Sequence, residues 1–137
     1  MKKTLFLMML LLTTASIANA RVQALMQLTA TSFSYRTQKY NIYDGYYWGK
    51  WSSKKSCCLD IVVTNTNQLI IYSDKKQIYN ILDKGKKFRN KKNNDCYSFS
   101  VRDQDGDRGT ITLCITKKGY DLLFVEFSDV MWVYEVQ

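Results

Sequence analysis

Four cysteines, three alternating aspartates, two glutamates and a cluster of aromatic rings are the residues of this sequence whose types and spacing bear on chemistry. Cys57, Cys58, Cys96 and Cys114 form an even set, which in an exported chain points to disulfides with three possible pairings. No C-x-x-C spacing occurs, so a four-cysteine zinc site is disfavoured. Asp103, Asp105 and Asp107 alternate as oxygen ligands do in a calcium loop. Counted from Asp103, the sixth position is Arg108 and the twelfth is Cys114, where an EF-hand needs glycine and a bidentate glutamate. That excludes an EF-hand and leaves a lone calcium site or a plain hairpin loop, so no metal ligands are assigned. Glu126 shares a strand face with Leu122 and Phe124, and with Asp121 or Asp129 it would supply the paired carboxylates of a glycoside hydrolase. The commoner role of such a glutamate is an ion pair or a solvent-facing strand position. The chain has no histidine, so neither a Ser-His-Asp nor a Cys-His site can be built from it.

Two further groups of residues suggest binding. Between Tyr40 and Trp51, six of twelve residues are Tyr or Trp. Tyr43, Tyr46, Tyr47, Trp48 and Trp51 are the candidate ligand-binding set, because ring faces stack on sugars or bases tolerantly. The plainer alternative is that they cover apolar surface elsewhere in the fold. Lys84, Lys86, Lys87, Arg89, Lys91 and Lys92 crowd the connection 83–95 and are the candidate anion-binding set. Lysines of this kind also guard exposed strand edges against unwanted pairing.

The elements that must position these groups are strands. Residues 59–82 contain three β-rich runs separated by short polar connectors, the pattern of consecutive hairpins. Folding about Thr66 sets Ile61 against Ile71 and Val63 against Leu69. Folding about Lys75 sets Ile71 against Tyr79 and Leu69 against Ile81. One face of this meander is then continuously apolar. The other carries Val62, Ile70, Tyr72 and Ile78, which the aromatic segment would cover under the plainer alternative. Folding residues 97–116 about Asp105 sets Tyr97 against Leu113, Phe99 against Ile111 and Cys96 against Cys114, which favours a Cys96–Cys114 disulfide. Asp44-Gly45 between aromatic runs predicts a two-residue hairpin. Residues 122–136 read as a last hairpin, apolar on both faces. Residues 21–31, with Val22, Leu25, Met26 and Leu28, fit a short helix as well as a strand. Phe33 and Tyr35 share a face of the strand that follows.

Lys2 and Lys3, the apolar run 5–12 and Ala18-Asn19-Ala20 read as a secretory leader, Met1–Ala20, too short in its apolar part to span a bilayer. The expected product is a single β domain, residues 21–137, periplasmic or secreted, with no transmembrane segment after leader removal. Losing Lys2 and Lys3 lowers the formal charge from +8 to +6, which serves solubility or an anionic partner. Eight or nine short strands joined mostly by hairpin-like connections predict an all-β fold, a small antiparallel up-and-down β-barrel, with a sandwich as the runner-up.

Gly49-Lys50-Trp51 is similar to the G-x-W that opens the barrel in the calycin group, although the later arginine-bearing lipocalin motif has no counterpart here. More broadly, with endings such as Phe127-Ser128-Asp129-Val130-Met131-Trp132-Val133-Tyr134, the chain resembles small uncharacterised exported β-rich proteins of Gram-negative bacteria. That resemblance implies export and a β-fold and carries no activity with it. The expected function is a non-enzymatic exported binding or interaction module whose ligand is a glycan, a lipid or a protein. An inhibitor or adaptor docking on another exported protein is the alternative, and a small hydrolase using Glu126 is a remote third. No cofactor is implied, and nucleic acid is a disfavoured partner.

Overall fold

The computed structural model describes residues 23–83 and 85–137, so the expected leader Met1–Ala20 and Lys84 lie outside the described residues. Every regular element among these residues is a strand. There are ten: β1 (Ala24–Asn41), β2 (Gly45–Trp48), β3 (Lys55–Thr64), β4 (Gln68–Ile71), β5 (Gln77–Ile81), β6 (Lys86–Arg89), β7 (Asp95–Arg102), β8 (Arg108–Ile115), β9 (Asp121–Glu126) and β10 (Val130–Val136). Eight of them close an antiparallel barrel in the order β1-β3-β4-β5-β7-β8-β9-β10, and β10 returns to β1 from Ala30↔Val136 to Thr37↔Val130. That closure removes the free edges a sandwich would keep. The remaining two, β2 and β6, extend the wall beyond the ring.

Alternation decides which side chains fill the barrel. Ile61, Val63, Leu69, Ile71, Val101, Ile111, Leu113, Leu123, Val125 and Val136 are essentially shut off from solvent. Each such side chain contributes about 1.5–3 kcal/mol relative to leaving it exposed. Together with Met26, Leu28, Tyr79, Phe99 and Tyr134 they form one core, so the interior is packed. The hairpin β7–β8 has the register expected about Asp105, including Cys96↔Cys114, and those two cysteines form a disulfide. Ser98 and Thr112 exchange a hydroxyl hydrogen bond of 3.2 Å on the same pair of strands.

Three local readings differ. In β4–β5, Leu69 faces Tyr79 and Ile71 faces Gln77, so the turn centres on Asp74 instead of Lys75. A slip of two residues keeps every side chain on its face, which is why the apolar face survives. The hairpin β1–β2 turns through Ile42, Tyr43 and Asp44, with Gly45 already paired to Asn41 at φ +74°. Asn41 Oδ1 accepts the Tyr43 N–H at 2.8 Å, and this three-residue loop replaces the expected two-residue turn. Residues 24–31 are strand, not helix. The pairing of β1 slips next to Leu25 and Thr31, which puts Met26, Leu28 and Ala30 inside before Thr31 and Phe33 inside after it.

The antiparallel registers sort the turns into two ends. The arm end gathers the β1–β2 hairpin, the linker 49–54 and the turns 72–76, 103–107 and 127–129. The base end gathers the turns 65–67, 90–94 and 116–120. At the base, β5 and β6 behave as one strand broken by a bulge. Asn80 and Ile81 pair with Arg102 and Val101, then Lys86 pairs with Ser98 two residues out of step. Asp83 Oδ1 holds the bulge by accepting the N–H groups of Gly85 and Ser100.

Candidate functional site

The sequence-predicted aromatic set is gathered on one projecting arm. β1 continues past the ring, β2 returns along it, and the linker stays attached through Gly49 N–H to Thr37 O and Ser52 N–H to Tyr35 O. Across this ribbon Gln38 faces Trp48 and Tyr40 faces Tyr46, which puts Arg36, Tyr40, Tyr46 and Trp48 on one face. The Tyr40 and Tyr46 rings meet at 5.1 Å with a tilt of 59°. At the foot of the arm the Arg36 guanidinium lies between two indoles, 5.4 Å from Trp48 and 4.5 Å from Trp51. Contacts of this kind contribute about 0.5–2 kcal/mol each. Trp51 also meets Phe124 of β9 at 6.3 Å, and Arg36 Nη2 lies 3.5 Å from Met131 Sδ of β10. The foot is thus fastened to the outer wall, while the outer part is bare: Tyr43 is 88%, Ile42 77%, Tyr46 72% and Tyr40 63% exposed.

The aromatic segment therefore does not cover the outer face of the meander. It packs along β1 and onto Phe124, because the linker sends the chain down the β1 side of the barrel. Tyr47 pairs with Lys39 on the face opposite Tyr46. Tyr46, Trp48 and Trp51 make one strip with Tyr40 and Arg36, Tyr47 stands behind it, and Tyr43 forms the tip. Arg36 was not singled out in the sequence. Its position before an aromatic run is the only local signal, since Met131 reaches it, as Phe124 reaches Trp51, through the barrel closure. Gly49-Lys50-Trp51 lies in the linker between β2 and β3, after the first barrel strand.

At the arm end the core is capped by aromatic side chains. Phe127 stacks on Trp132 at 6.0 Å and meets Tyr79 at 6.1 Å, while Phe33 meets Tyr134 at 6.3 Å. Tyr79 O–H donates to Gln77 Oε1 at 2.7 Å, and Gln77 Nε2 donates to Ser73 Oγ at 3.0 Å. Burial pushes the Tyr79 phenol well above its ordinary range, so it acts as a neutral donor, and burial pushes the Tyr134 phenol up as well. Among the shallow clefts at this rim, two are roomy. One, of about 420 Å³, has Phe33, Cys57, Leu59 and Tyr134 in its wall and Lys75 and Gln77 at its edge. The other, of about 380 Å³, lies between Tyr79, Trp132 and the turn residues Asp103, Asp107 and Asp129.

The remaining candidates fall elsewhere. Asp103 Oδ1 accepts the N–H groups of Asp105 at 3.0 Å and Asp107 at 2.8 Å, so this carboxylate builds its own hairpin turn. Glu126 sits on the outward face of β9 opposite Met131 and Thr110 and lines neither rim cleft. Cys57 and Cys58 are free, and adjacent strand residues point to opposite faces. The Cys57 thiol faces inward, 3.6 Å from Ala30 O, and burial pushes its pKa up, whereas Cys58 is exposed. The lysine set is dispersed at the base end. Lys86, Lys87 and Arg89 lie on the exposed strand β6, Lys87 over the Tyr97 ring at 5.8 Å and Arg89 paired with Asp95 at 3.3 Å. Lys91 and Lys92 stand in the following turn, where Lys92 lines a cleft of its own.

No protein-family model matches the chain, and neither a curated protein nor a solved structure matches it.

Proposed function

We propose that this is a non-enzymatic binding module that takes its ligand on the outside of the barrel, along the aromatic arm. The observation that carries this reading is the strip Tyr40, Tyr46, Trp48 and Trp51 on one face of a projecting hairpin, half of it bare. Rings displayed in a row, with the interior already filled, favour a ligand that is itself extended and presents flat faces. A glycan fits best, since its C–H faces stack on Trp and Tyr without demanding a particular base or side chain. Arg36 serves as a positioning residue here: wedged between two indoles, it holds their ring planes in place.

Titrating a panel of neutral and charged oligosaccharides while following tryptophan emission tests the reading. A saturable shift is expected with at least one glycan, and Tyr46→Ala and Trp51→Ala should each weaken it about five- to tenfold, in keeping with the strength of ring contacts. A flat response across the panel would contradict it. The tip favours a second reading, docking on another exported protein, because Ile42 and Tyr43 are large, apolar and almost fully exposed. In that case Tyr43→Ser would abolish capture of a protein partner and leave glycan titrations unchanged.

Export to the periplasm or beyond belongs to the same proposal. The leader pattern supports it, and a disulfide is compatible with an oxidising compartment. An intact mass beginning at Arg21 is the expected result for the mature protein.

A further inference from the structure

The base end carries a second feature that the lysine run alone did not disclose. The turn 90–94 between β6 and β7 and the turn 116–120 between β8 and β9 stand side by side because their strands are neighbours in the wall. Between them lies a cleft of about 300 Å³, lined by Lys92, Asn93, Asn94, Lys117, Lys118 and Tyr120, with Leu122 at its apolar wall. We infer that this cleft is a binding site for an anionic sugar, one whose charge is carried by sulfate or carboxylate.

Both walls of the cleft are built. Asn90 Oδ1 accepts the N–H groups of Lys92 and Asn94 at 3.0 Å each, and Asn93 adopts φ +63° to complete the turn. Across the cleft, the Thr116 hydroxyl donates to Tyr120 O and accepts the Lys118 N–H, while the buried Asp121 accepts the Thr116 N–H at 3.2 Å. The Cys96–Cys114 disulfide ties the strands just below, so the two turns keep their spacing. Lys92 on one side therefore faces Lys117 and Lys118 on the other by construction.

Charge and shape together select the ligand. Three lysines line the cleft and no carboxylate does: Asp121 is turned to Thr116, Asp95 is held by Arg89, and Glu135, whose charge reaches Lys118 from the neighbouring strand, is paired with Lys54. Like charges gathered this way repel one another, and a bound anion relieves them. A bare anion would leave the half-buried Tyr120 ring and Leu122 without a use. A sugar ring supplies an apolar face for them, and its hydroxyls suit the Asn93 and Asn94 amides. Lysines act as point charges without a fixed fork, which suits sulfate or carboxylate groups spread over a ring.

The test is calorimetric titration of the full mature chain with a heparin tetrasaccharide, trigalacturonate, maltotriose and sodium sulfate. Saturable binding is expected for at least one of the two anionic oligosaccharides, with maltotriose and sulfate at least tenfold weaker; which of the two binds identifies the anionic group. The K92Q/K118Q double variant should lose about tenfold or more in affinity and Tyr120→Ala about fivefold, as partly desolvated ion pairs and a ring contact imply. The K86Q/K87Q variant, altered on the neighbouring strand β6, should change affinity less than twofold, and so should Tyr46→Ala on the arm. No saturable binding to either oligosaccharide would overturn the inference. Sulfate binding as tightly as the sugars, an equal loss in K86Q/K87Q, or a Tyr120→Ala variant of undiminished affinity would overturn it too. The arm proposal stands or falls separately, on Tyr46 and Trp51.

Discussion

The two ends of this barrel are made of the same material, aromatic rings and lysines on turns, and put it to opposite uses. At the base the turns are stitched into the fold by the Cys96–Cys114 disulfide, the buried Asp121 and the Asn90 amide. At the other end the arm is fastened at its foot, by Arg36 between Trp48 and Trp51, by Trp51 against Phe124 and by the linker's backbone hydrogen bonds, and its outer rings stand largely in solvent. Position relative to the closed ring explains the difference. A turn that joins two barrel strands inherits their rigidity, whereas a hairpin that overruns the ring must supply its own. Substitutions of the groups that stitch the base turns should therefore change stability, and substitutions on the outer arm should change binding alone.

The largest effect is expected from the disulfide. Replacing Cys96 and Cys114 together by serine opens a link of sequence separation 18. That should cost roughly 3 kcal/mol in the chain-entropy account, read as a lower urea midpoint. Next is Gly85→Ala at the β5–β6 bulge. Gly85 has φ +78°, and an added Cβ would come within 2.6 Å of the Phe99 ring and 2.7 Å of Ser98 O. Strain of both kinds should cost about 1–3 kcal/mol, measured by thermal unfolding.

How much of this contrast was legible in the sequence depended on whether neighbours in space were neighbours along the chain. The hairpin β7–β8 was readable to the residue, Cys96↔Cys114 included, because nothing interrupts its alternation. The meander was readable as to face throughout and as to register in β3–β4, where Ile61 meets Ile71 and Val63 meets Leu69, but not in β4–β5, where the Ser73–Lys75 and Ser73–Gln77 hydrogen bonds shape a turn centred one residue early. The start of β1 was opaque, although its continuation from Ser32 was readable as strand: slips beside Leu25 and Thr31 break the period of two, and a broken period looks like a short helix. The aromatic set was visible as a cluster, but its fastening needed Met131 against Arg36 and Phe124 against Trp51, both far along the chain. The pairing of Lys92 with Lys117 and Lys118 was hidden for the same reason.

Asp121 sharpens the comparison through pH. Burial raises its pKa from the ordinary 3.8, against the opposing hydrogen bond from Thr116. The folded chain then keeps this proton to higher pH than the unfolded chain does. The contribution to stability is full below the unfolded pKa and declines as pH rises from there to the folded value. Asp121→Asn, which keeps an acceptor for Thr116, should remove that decline when urea midpoints are compared across acidic pH. Asp121→Ala should cost about 1–3 kcal/mol at any pH, since the Thr116 N–H loses its acceptor. On the arm, Arg36→Ala should cost no more than about 2 kcal/mol and shift tryptophan emission to the red as both indoles loosen. The smallest effect belongs to Tyr43→Ser, within about 0.5 kcal/mol of the parent by thermal unfolding. A large loss of stability at Tyr43 would break the contrast between the ends.

Backbone amide chemical-shift mapping during titration with the tightest-binding neutral oligosaccharide of the panel tests the central claim most directly. The expected result is that the perturbed amides fall on the arm, between residues 36 and 51, while those of Leu69, Val101 and Leu113 stay still. Shifts concentrated on those core residues would mean that the ligand enters the barrel, and would contradict the account.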